Sequence, residues 1–348
     1  MNHVTVYAAM ADISAASNTA YAVVPVTGPL RRAAWALHGA LAVGAGSWPV
    51  ITVKKNGVAT GETFSVFTAT AGWGGSTIFE FAPGGVIFQA GDVISFESDG
   101  GPDTGAKVIF CAEFEAGTRD FGEAFIMVEH PSVSTLNEDC YVAMPVEGDV
   151  LGFSYAVKTA TDSAAILTVN KNGVDTGETL TIPTTAIGLG AVAAPLGTPI
   201  PVRAGDVLAF DSDGGGITGG ALTILVHLKR GPGRPADEVP AWGQIDDVGD
   251  FQNCVIPVCR RQRLRAVVGA LKTAHTTPVA AIATYVDNVI NSTAAFEVPI
   301  AAEGGVVPLK ELSQQTPVYL EPGGGLRFSS SAGGAGGDVT FTAMLGNS

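Results

Sequence analysis

Residues 51–63 read ITVKKNGVATGET, and residues 167–179 read LTVNKNGVDTGET. Ten of these 13 positions are identical, and Asn172 follows Asn56 by 116 residues. In both copies an apolar alternation runs into Asn-Gly, the dipeptide that tolerates the two positive φ angles of a tight β-hairpin. The stretch therefore predicts two strands joined by a two-residue turn, and the chain contains it twice.

A second block repeats in the same order. Residues 90–101 read AGDVISFESDGG and residues 204–215 read AGDVLAFDSDGG, so nine of 12 positions are identical at an offset of 114 residues. Two matched blocks with nearly equal spacing indicate the tandem duplication of one folding unit. Short apolar runs separated by Gly, Asn and Asp predict strands throughout the chain, with little helix.

A third and more divergent copy follows. Residues 284–293 read TYVDNVINST, which places Asn288 another 116 residues on and Val289 where the turn glycine stands in the first two copies. Residues 322–330 read PGGGLRFSS, with Phe328 in the place of the phenylalanine that follows Ala-Gly-Asp. The third copy is therefore expected to keep the fold while losing part of the turn chemistry.

The three copies predict an all-β chain of three tandem β-sandwich, jelly-roll-like modules, at residues 1–117, 118–231 and 232–348. The composition agrees with this architecture. Glycine supplies 45 of the 348 residues, which suits a chain rich in turns, and charged residues make up only 15%. Low charge is expected where much of the strand surface is buried in sandwiches or interfaces.

The charge balance narrows the class of protein. A formal net charge of −14 argues against a protein that coats nucleic acid and against a polybasic membrane binder, because both need a positive surface. No apolar run approaches 18 residues, so no membrane insertion is expected. The first five residues, MNHVT, lack the basic start of a signal peptide, which predicts synthesis in a host cytoplasm.

The order of these elements carries a resemblance. The chain resembles jelly-roll modules of the TNF/C1q-like kind in the order of its elements: an apolar strand, an Asn-Gly turn, a return strand, a long loop, Ala-Gly-Asp and a further strand. The order is also similar to the tandem β-modules of bacteriophage head fibres, head spikes and decoration proteins, including those of gene-transfer-agent particles. The resemblance covers residues 51–66, 90–101, 167–182 and 204–215. It implies a structural subunit of a virion.

Acidic side chains cluster near the glycine-rich turns: Glu97, Asp99 and Asp103 in the first copy, and Asp211 and Asp213 in the second. Several oxygens on a flexible loop are what Ca²⁺ prefers, so these acids are candidate metal ligands. Asp also builds turns without any metal, which is the interpretation we favour. We therefore predict no cofactor and no metal.

One basic cluster reverses the acidic balance. Arg261, Arg263 and Arg265 alternate along a predicted strand, so their guanidinium groups are expected on one face, and Arg260 lies beside them. Such a face is solvated, or pairs with acids of a neighbouring module, or serves as a docking surface for an acidic partner subunit. Nucleic acid is disfavoured because no aromatic stacking set is interleaved with these arginines.

Trp73 lies in the loop Ala71-Gly72-Trp73-Gly74-Gly75. An aromatic ring on an exposed loop is typical of a sugar-binding platform or of an interface anchor. A packed loop tip is the competing interpretation. Trp73 is thus a candidate contact for a host surface polysaccharide.

Catalytic patterns are weak. The five histidines do not recur at matched positions, no nucleophile elbow is present, and 33 acidic residues make any choice of a glycosidase pair arbitrary. The four cysteines show no metal-binding spacing and are expected to be buried thiols.

We therefore predict a non-enzymatic virion structural protein, a head spike, fibre or decoration subunit, that forms a homo-oligomer, with a trimer favoured. Sandwich modules expose sheet edges, and oligomerisation is one way to cover them. The partners would be other capsid or tail proteins. The alternative function is a carbohydrate-binding array or adhesin outside a virion, and a glycan hydrolase is a third, weaker option.

Overall fold

The computed structural model of the chain describes most of its length. The described residues are 2–38, 48–66, 76–82, 84–101, 107–116, 122–136, 139–192, 195–215, 220–231, 239–245, 253–271, 280–286, 289–298, 306–311, 318–321, 325–330 and 337–346. Within them the chain is all-β, as predicted: 27 strands and no helix. Accordingly, the described part of the chain contains no helix that could cross a membrane.

Module 1 comprises the first nine strands. They are β1 Asn2–Met10, β2 Thr19–Val23, β3 Gly28–Leu37, β4 Val50–Lys55, β5 Val58–Ser65, β6 Ser76–Glu80, β7 Ile87–Phe88, β8 Val93–Ser98 and β9 Val108–Ala116. One sheet has the order β1-β9-β3-β6, with β7 also paired to β3, and the other has the order β2-β8-β4-β5. All pairs are antiparallel, and the chain passes repeatedly between the two sheets, which is the jelly-roll path.

Modules 2 and 3 repeat this path strand for strand. Module 2 has β10 Glu123–His130, β11 Asp139–Ala143, β12 Gly148–Val157, β13 Ala165–Lys171, β14 Val174–Ile182, β15 Gly190–Val192, β16 Ile200–Val202, β17 Val207–Ser212 and β18 Leu222–Arg230. Module 3 has β19 Val239–Ile245, β20 Asn253–Pro257, β21 Gln262–Leu271, β22 Ala280–Val286, β23 Val289–Val298, β24 Val306–Glu311, β25 Val318–Leu320, β26 Gly325–Ser330 and β27 Val339–Gly346. The tandem sandwich architecture is thus present, while the exact module boundaries at 117 and 231 stay a prediction.

The predicted hairpin turns form as expected in modules 1 and 2. Asn56 and Gly57 have φ angles of 50° and 80°, and Asn172 and Gly173 have 52° and 77°. Two positive φ angles in succession match the right-handed twist of the flanking strands. The turns therefore fix which residues of each hairpin face the core.

The third hairpin differs from the prediction by one residue. Val286 pairs with Val289, so the connection consists of residues 287 and 288, which lie outside the described residues. Lys171 faces Leu208, and Val286 faces Leu326 at the matching place. Asn288 therefore corresponds to Gly173, not to Asn172, and Val289 is a strand residue equivalent to Val174. The spacing between copies is 115 residues here, and a shift of one residue reverses which face a strand side chain occupies.

The core of each sandwich is built on matched phenylalanines. Phe96, Phe210 and Phe328 face Ala20, Cys140 and Cys254 in the neighbouring strands, so they are equivalent, as predicted. All three rings are buried and contact another ring of the same module at centroid distances of 4.7, 5.2 and 4.9 Å. Burying a side chain of this size contributes about 1.5–3 kcal/mol, and the ring contact adds to it.

The three modules form a closed ring. Strand β2 of module 1 packs on β12 and β18 of module 2; β11 packs on β21 and β27 of module 3; and β20 packs on β3 and β9 of module 1. Because the same strands meet at each contact, the arrangement has approximate threefold symmetry, with a head-to-tail interface that closes on itself. We call these contacts the 1–2, 2–3 and 3–1 seams.

The first strand of each module lines the centre of the ring. Strands β1, β10 and β19 contact one another. Their equivalent residues Tyr7, Met127 and Trp242 are 3%, 2% and 2% exposed. One continuous apolar cluster combines the module 1 core with module 3 residues and with Phe125 and Leu225 of module 2. The modules therefore share a core, which the sequence did not indicate.

Candidate functional site

The predicted arginine row lies along strand β21. Arg261 is exposed just before the strand, Arg263 and Arg265 are half-buried, and the intervening Gln262 and Leu264 are buried. The three arginines thus share the outer face of the sheet while the alternate residues point into the sandwich.

Neighbouring strands shape the row. The Arg261 Nε lies 3.0 Å from the Glu321 carboxylate, and its guanidinium carbon lies 5.1 Å from the ring centre of Tyr319, which is 39% exposed. Tyr319 pairs with Arg263 across the strands. Because both Arg261 and Glu321 are 55% exposed, their ion pair adds little to stability and leaves the guanidinium accessible.

Arg265 differs from its counterpart in module 1. The equivalent Arg31 donates a hydrogen bond of 2.6 Å to Glu115 on the adjacent strand. In module 3 the position of Glu115 is taken by Gly346, and a Cβ there would come within 2.8 Å of the Arg265 Nε. Module 3 has therefore replaced an acid by a glycine beneath its arginine, which makes the row more basic than the same face of module 1.

The candidate metal ligands serve other roles. Asp99 accepts a hydrogen bond from the backbone amide of Val50 at 2.7 Å, and the equivalent Asp213 accepts one from Ile166 at 3.1 Å. Glu97 pairs with Lys54. Within the described residues no group of three or more His, Cys, Asp or Glu side chains is arranged to hold a metal ion. Asp103 lies outside the described residues.

Asp211 is the exception among these acids. It lies directly opposite Asp139 in the adjacent strand, and Tyr141 donates a hydrogen bond of 2.7 Å to the second oxygen of Asp139. Burial and the neighbouring Asp139 raise the pKa of Asp211 above its ordinary value. Repulsion by the neighbouring Asp139 carboxyl group thus disfavours the ionised form of Asp211.

Trp73, the candidate sugar contact, lies outside the described residues, as does the rest of its glycine-rich loop. Of the other tryptophans, Trp35 and Trp242 are 1% and 2% exposed and belong to the core. Trp48 is 36% exposed.

His38 and His227 both make close polar contacts, and the contact of His38 crosses the 3–1 seam. His38 of module 1 contacts the backbone of Val255 in module 3, with Nε2 3.1 Å from the carbonyl oxygen and 3.2 Å from the amide nitrogen. His227 lies within hydrogen-bond distance of Ser154 (2.6 Å), and its ring meets the edge of Phe125. Burial lowers the pKa of His227 to about 4. Ser154 is fully buried, so this Ser–His pair offers no nucleophile to a substrate.

The prediction of four buried thiols is wrong for one pair of cysteines. Cys111 in β9 and Cys259 after β20 form a disulfide that links module 1 to module 3 across 148 residues of sequence. Cys140 and Cys254 are buried thiols, as predicted. Spacing could not reveal the disulfide, because its two cysteines belong to different modules that meet only when the ring closes.

An acidic side chain is buried beside this disulfide. The Glu113 side chain is 2% exposed, and its oxygens lie 3.4 Å from His3 Nδ1 and 3.5 Å from Arg260 Nε. Arg260 belongs to module 3, whereas His3 and Glu113 belong to module 1. Burial lowers the pKa of His3, and the Glu113 carboxylate opposes this shift. The sequence singled out Arg260 as part of a basic cluster but not its partner.

Comparisons with known proteins leave the family open. No protein-family model and no curated protein matches the sequence. Among solved structures, the major capsid protein P2 of bacteriophage PM2 is 11% identical, with 64% of this chain and 97% of that chain covered and a TM-score of 0.23.

Two further structures give similar values. The structure of Sulfolobus Turreted Icosahedral Virus is 12% identical over 99% of this chain and 88% of the viral one, with a TM-score of 0.21. Dimeric latent PorU from Porphyromonas gingivalis is 10% identical over 95% of this chain and 32% of its own, with a TM-score of 0.19. At these TM-scores the fold assignment rests on the strand order of the chain itself.

Proposed function

We propose that this chain is a non-enzymatic structural protein of a phage-like particle, a spike, fibre or decoration subunit. The observation that carries the proposal is the closed ring of three jelly-roll modules, in which one chain supplies three copies of a unit related by approximate threefold symmetry. Such a ring presents repeated outer surfaces, which suits a subunit that assembles with other proteins. The resemblance of the repeated blocks to phage head modules supports the same role.

The polar groups that could have served catalysis support a structural role instead. His38 is buried at the 3–1 seam, the Ser154 hydroxyl that contacts His227 is buried within module 2, and Asp99 and Asp213 accept hydrogen bonds from backbone amides at turns. Each of these side chains satisfies a group that burial or a turn would otherwise leave unpaired. Their placement explains them as parts of the scaffold.

Mass spectrometry of gradient-purified particles from the source culture tests the proposal. The chain is expected to sediment with capsid proteins in a fixed copy number per particle. Recovery of the chain in the soluble fraction alone, with none in the particle bands, would overturn the virion role.

The ring also bears on the oligomeric state. The homotrimer predicted from the sequence would associate three chains. We propose instead that one chain, whose three modules already form a closed ring, does not associate further. Light scattering is expected to give the chain mass of 35.4 kDa. A mass three times as large would restore the homotrimer.

The host-glycan contact stays a prediction based on Trp73. A glycan array with the wild-type chain and the Trp73→Ala variant tests it, with Trp48→Ala as the matched control because Trp48 is also partly exposed. Binding that is lost only in the Trp73 variant supports the contact, and no binding by the wild-type chain excludes it.

A further inference from the structure

The 3–1 seam differs from the other two in how its modules are connected. Modules 1 and 2 follow each other in the chain, as do modules 2 and 3, so short connections hold the 1–2 and 2–3 seams together. Modules 3 and 1 are not consecutive, and their contact closes the ring. When the Cys111–Cys259 disulfide is reduced, only non-covalent contacts hold this seam together.

Polar contacts join modules 1 and 3 at the closing seam. Glu113 of module 1 lies buried beside Arg260 of module 3, and His38 of module 1 contacts the backbone of Val255 on the edge of β20. If the seam opened, these polar groups would regain contact with water. Their hydration would offset much of the free energy lost with the broken contacts. Apolar contacts cross this seam as well, because one cluster combines the core of module 1 with residues of module 3, and the 2–3 seam has a smaller cluster of Ala143, Val207, Val268 and Ala270.

The strand registers show that the cysteine pair belongs to this seam alone. The residues equivalent to Cys111 are Leu225 in module 2 and Thr342 in module 3. Cys259 follows Cys254 by five residues, and the residues at that distance from Ala20 and Cys140 are Pro25 and Pro145. Three seams with the same geometry thus carry a disulfide only where the chain itself provides no connection.

We propose that the Cys111–Cys259 disulfide is a redox-controlled clasp that closes the ring. In reducing surroundings both residues are thiols and the 3–1 seam opens transiently. An external low-molecular-weight disulfide such as oxidised glutathione then accepts two electrons: the two protein thiols lose their protons, one protein S–S bond forms, and two molecules of reduced glutathione leave. The disulfide therefore forms after the chain leaves a reducing compartment.

Disulfide mapping is the first part of the test. The purified chain is incubated with oxidised glutathione, alkylated, digested without reduction and analysed by mass spectrometry. A linked peptide pair containing Cys111 and Cys259 is expected in the wild-type chain and in the Cys254→Ser control, and it is expected to be lost in Cys259→Ser. Absence of the linked pair from the oxidised wild-type chain would overturn the clasp.

Hydrogen exchange is the second part, and it uses the wild-type chain so that no variant has to fold. Reduction is expected to raise the exchange rate of the Val255 amide, which lies against His38, at least tenfold. The amide of Tyr141, the equivalent residue in β11, should change by less than twofold, because the 2–3 seam has no clasp. Equal exchange at Val255 before and after reduction would show that the disulfide does not control the seam.

Discussion

Asn172 donates a hydrogen bond of 2.9 Å from its side-chain amide to Asp206, although the two residues lie 34 positions apart in the chain. The amide oxygen of Asn172 accepts a second bond of 2.9 Å from the backbone of Val207. Module 1 repeats the contact between Asn56 and Asp92 at 2.7 Å. The two sequence blocks that recur in the chain are therefore one structural unit, in which the hairpin turn is bonded to the turn that starts the next core strand.

Replacement of this asparagine should destabilise its module. Asn172→Ala removes both hydrogen bonds, and alanine tolerates a φ of 52° less well than asparagine, so we expect a loss of about 1–3 kcal/mol in the free energy of unfolding. Urea unfolding followed by fluorescence measures it. Val174→Ala is the control, because Val174 is 69% exposed and its truncation should cost under about 0.5 kcal/mol. Equal losses in both variants would contradict the role of the turn.

These contacts explain why the repeat could be predicted from the sequence. The turn residues follow one another in the sequence. They can be recognised because Asn, Gly and Asp adopt the backbone conformations that such turns require. The third hairpin shows the limit of this approach. There the residues of the turn have changed, so the spacing alone suggested that Asn288 matched Asn172, and only the strand pairing of Val286 with Val289 sets the register.

In modules 1 and 2, close backbone contact requires a glycine at the first residue of strands β3 and β12. A Cβ on Gly148 would collide with the carbonyl oxygen of Lys229, and one on the equivalent Gly28 would collide with that of Glu115. Gly148→Ala should therefore lower the free energy of unfolding by about 1–3 kcal/mol, because the paired strand must move. Thermal unfolding measures the effect. Gly197→Ala is the matched control, since a Cβ at Gly197 meets nothing within 4 Å, and a comparable loss there would refute the collision.

The partly buried His227 should make stability depend on pH. Its folded pKa of about 4 lies below the ordinary value of 6.5, so the unfolded chain binds the proton more readily between these pH values. Stability is therefore unaffected by this group above about pH 6.5, and it falls as the pH drops towards 4. The loss is at most about 3 kcal/mol.

Melting temperatures from pH 7.5 to 4 test this dependence. His227→Gln keeps a hydrogen-bonding group beside Ser154 but does not titrate. The melting temperature of the variant should fall less steeply than that of the wild-type chain over this range. Parallel curves would show that His227 is not buried as a neutral ring.

The arginine row should bind an acidic chain. Poly-L-glutamate serves as the probe, and fluorescence anisotropy at low salt measures its affinity. Arg261→Glu is expected to weaken binding at least fivefold, because Arg261 is the exposed member of the row, while Arg263 and Arg265 are half-buried. Arg203→Glu, an equal charge change at an exposed site in module 2, is the control. A similar loss in both variants would show that net charge, and not the row, governs binding.

The ring was beyond the reach of sequence reasoning for a physical reason. Contacts within a module recur in each copy, so the repeated residues reveal them in the sequence. The seams, by contrast, have different residues at equivalent positions. Cys259, Pro25 and Pro145 share one place in the fold, and nothing in their local sequence relates them to Cys111. Burial of strand faces against another module also looks, in composition, like burial against a second chain. The homotrimer prediction rests on the sheet edges that sandwich modules expose, and measurement of the mass in solution tests it.

The approximate symmetry of the ring predicts where a second clasp can be built. Leu225 is equivalent to Cys111 and is 1% exposed within the apolar cluster shared with module 1, while Pro25 is equivalent to Cys259. A Pro25→Cys, Leu225→Cys double variant should form a disulfide across the 1–2 seam on incubation with oxidised glutathione. The linked peptides are detected by mass spectrometry, and each single variant serves as a control. If the double variant yields only alkylated thiols while Cys111 and Cys259 stay linked, the seams are not equivalent and the threefold relation fails.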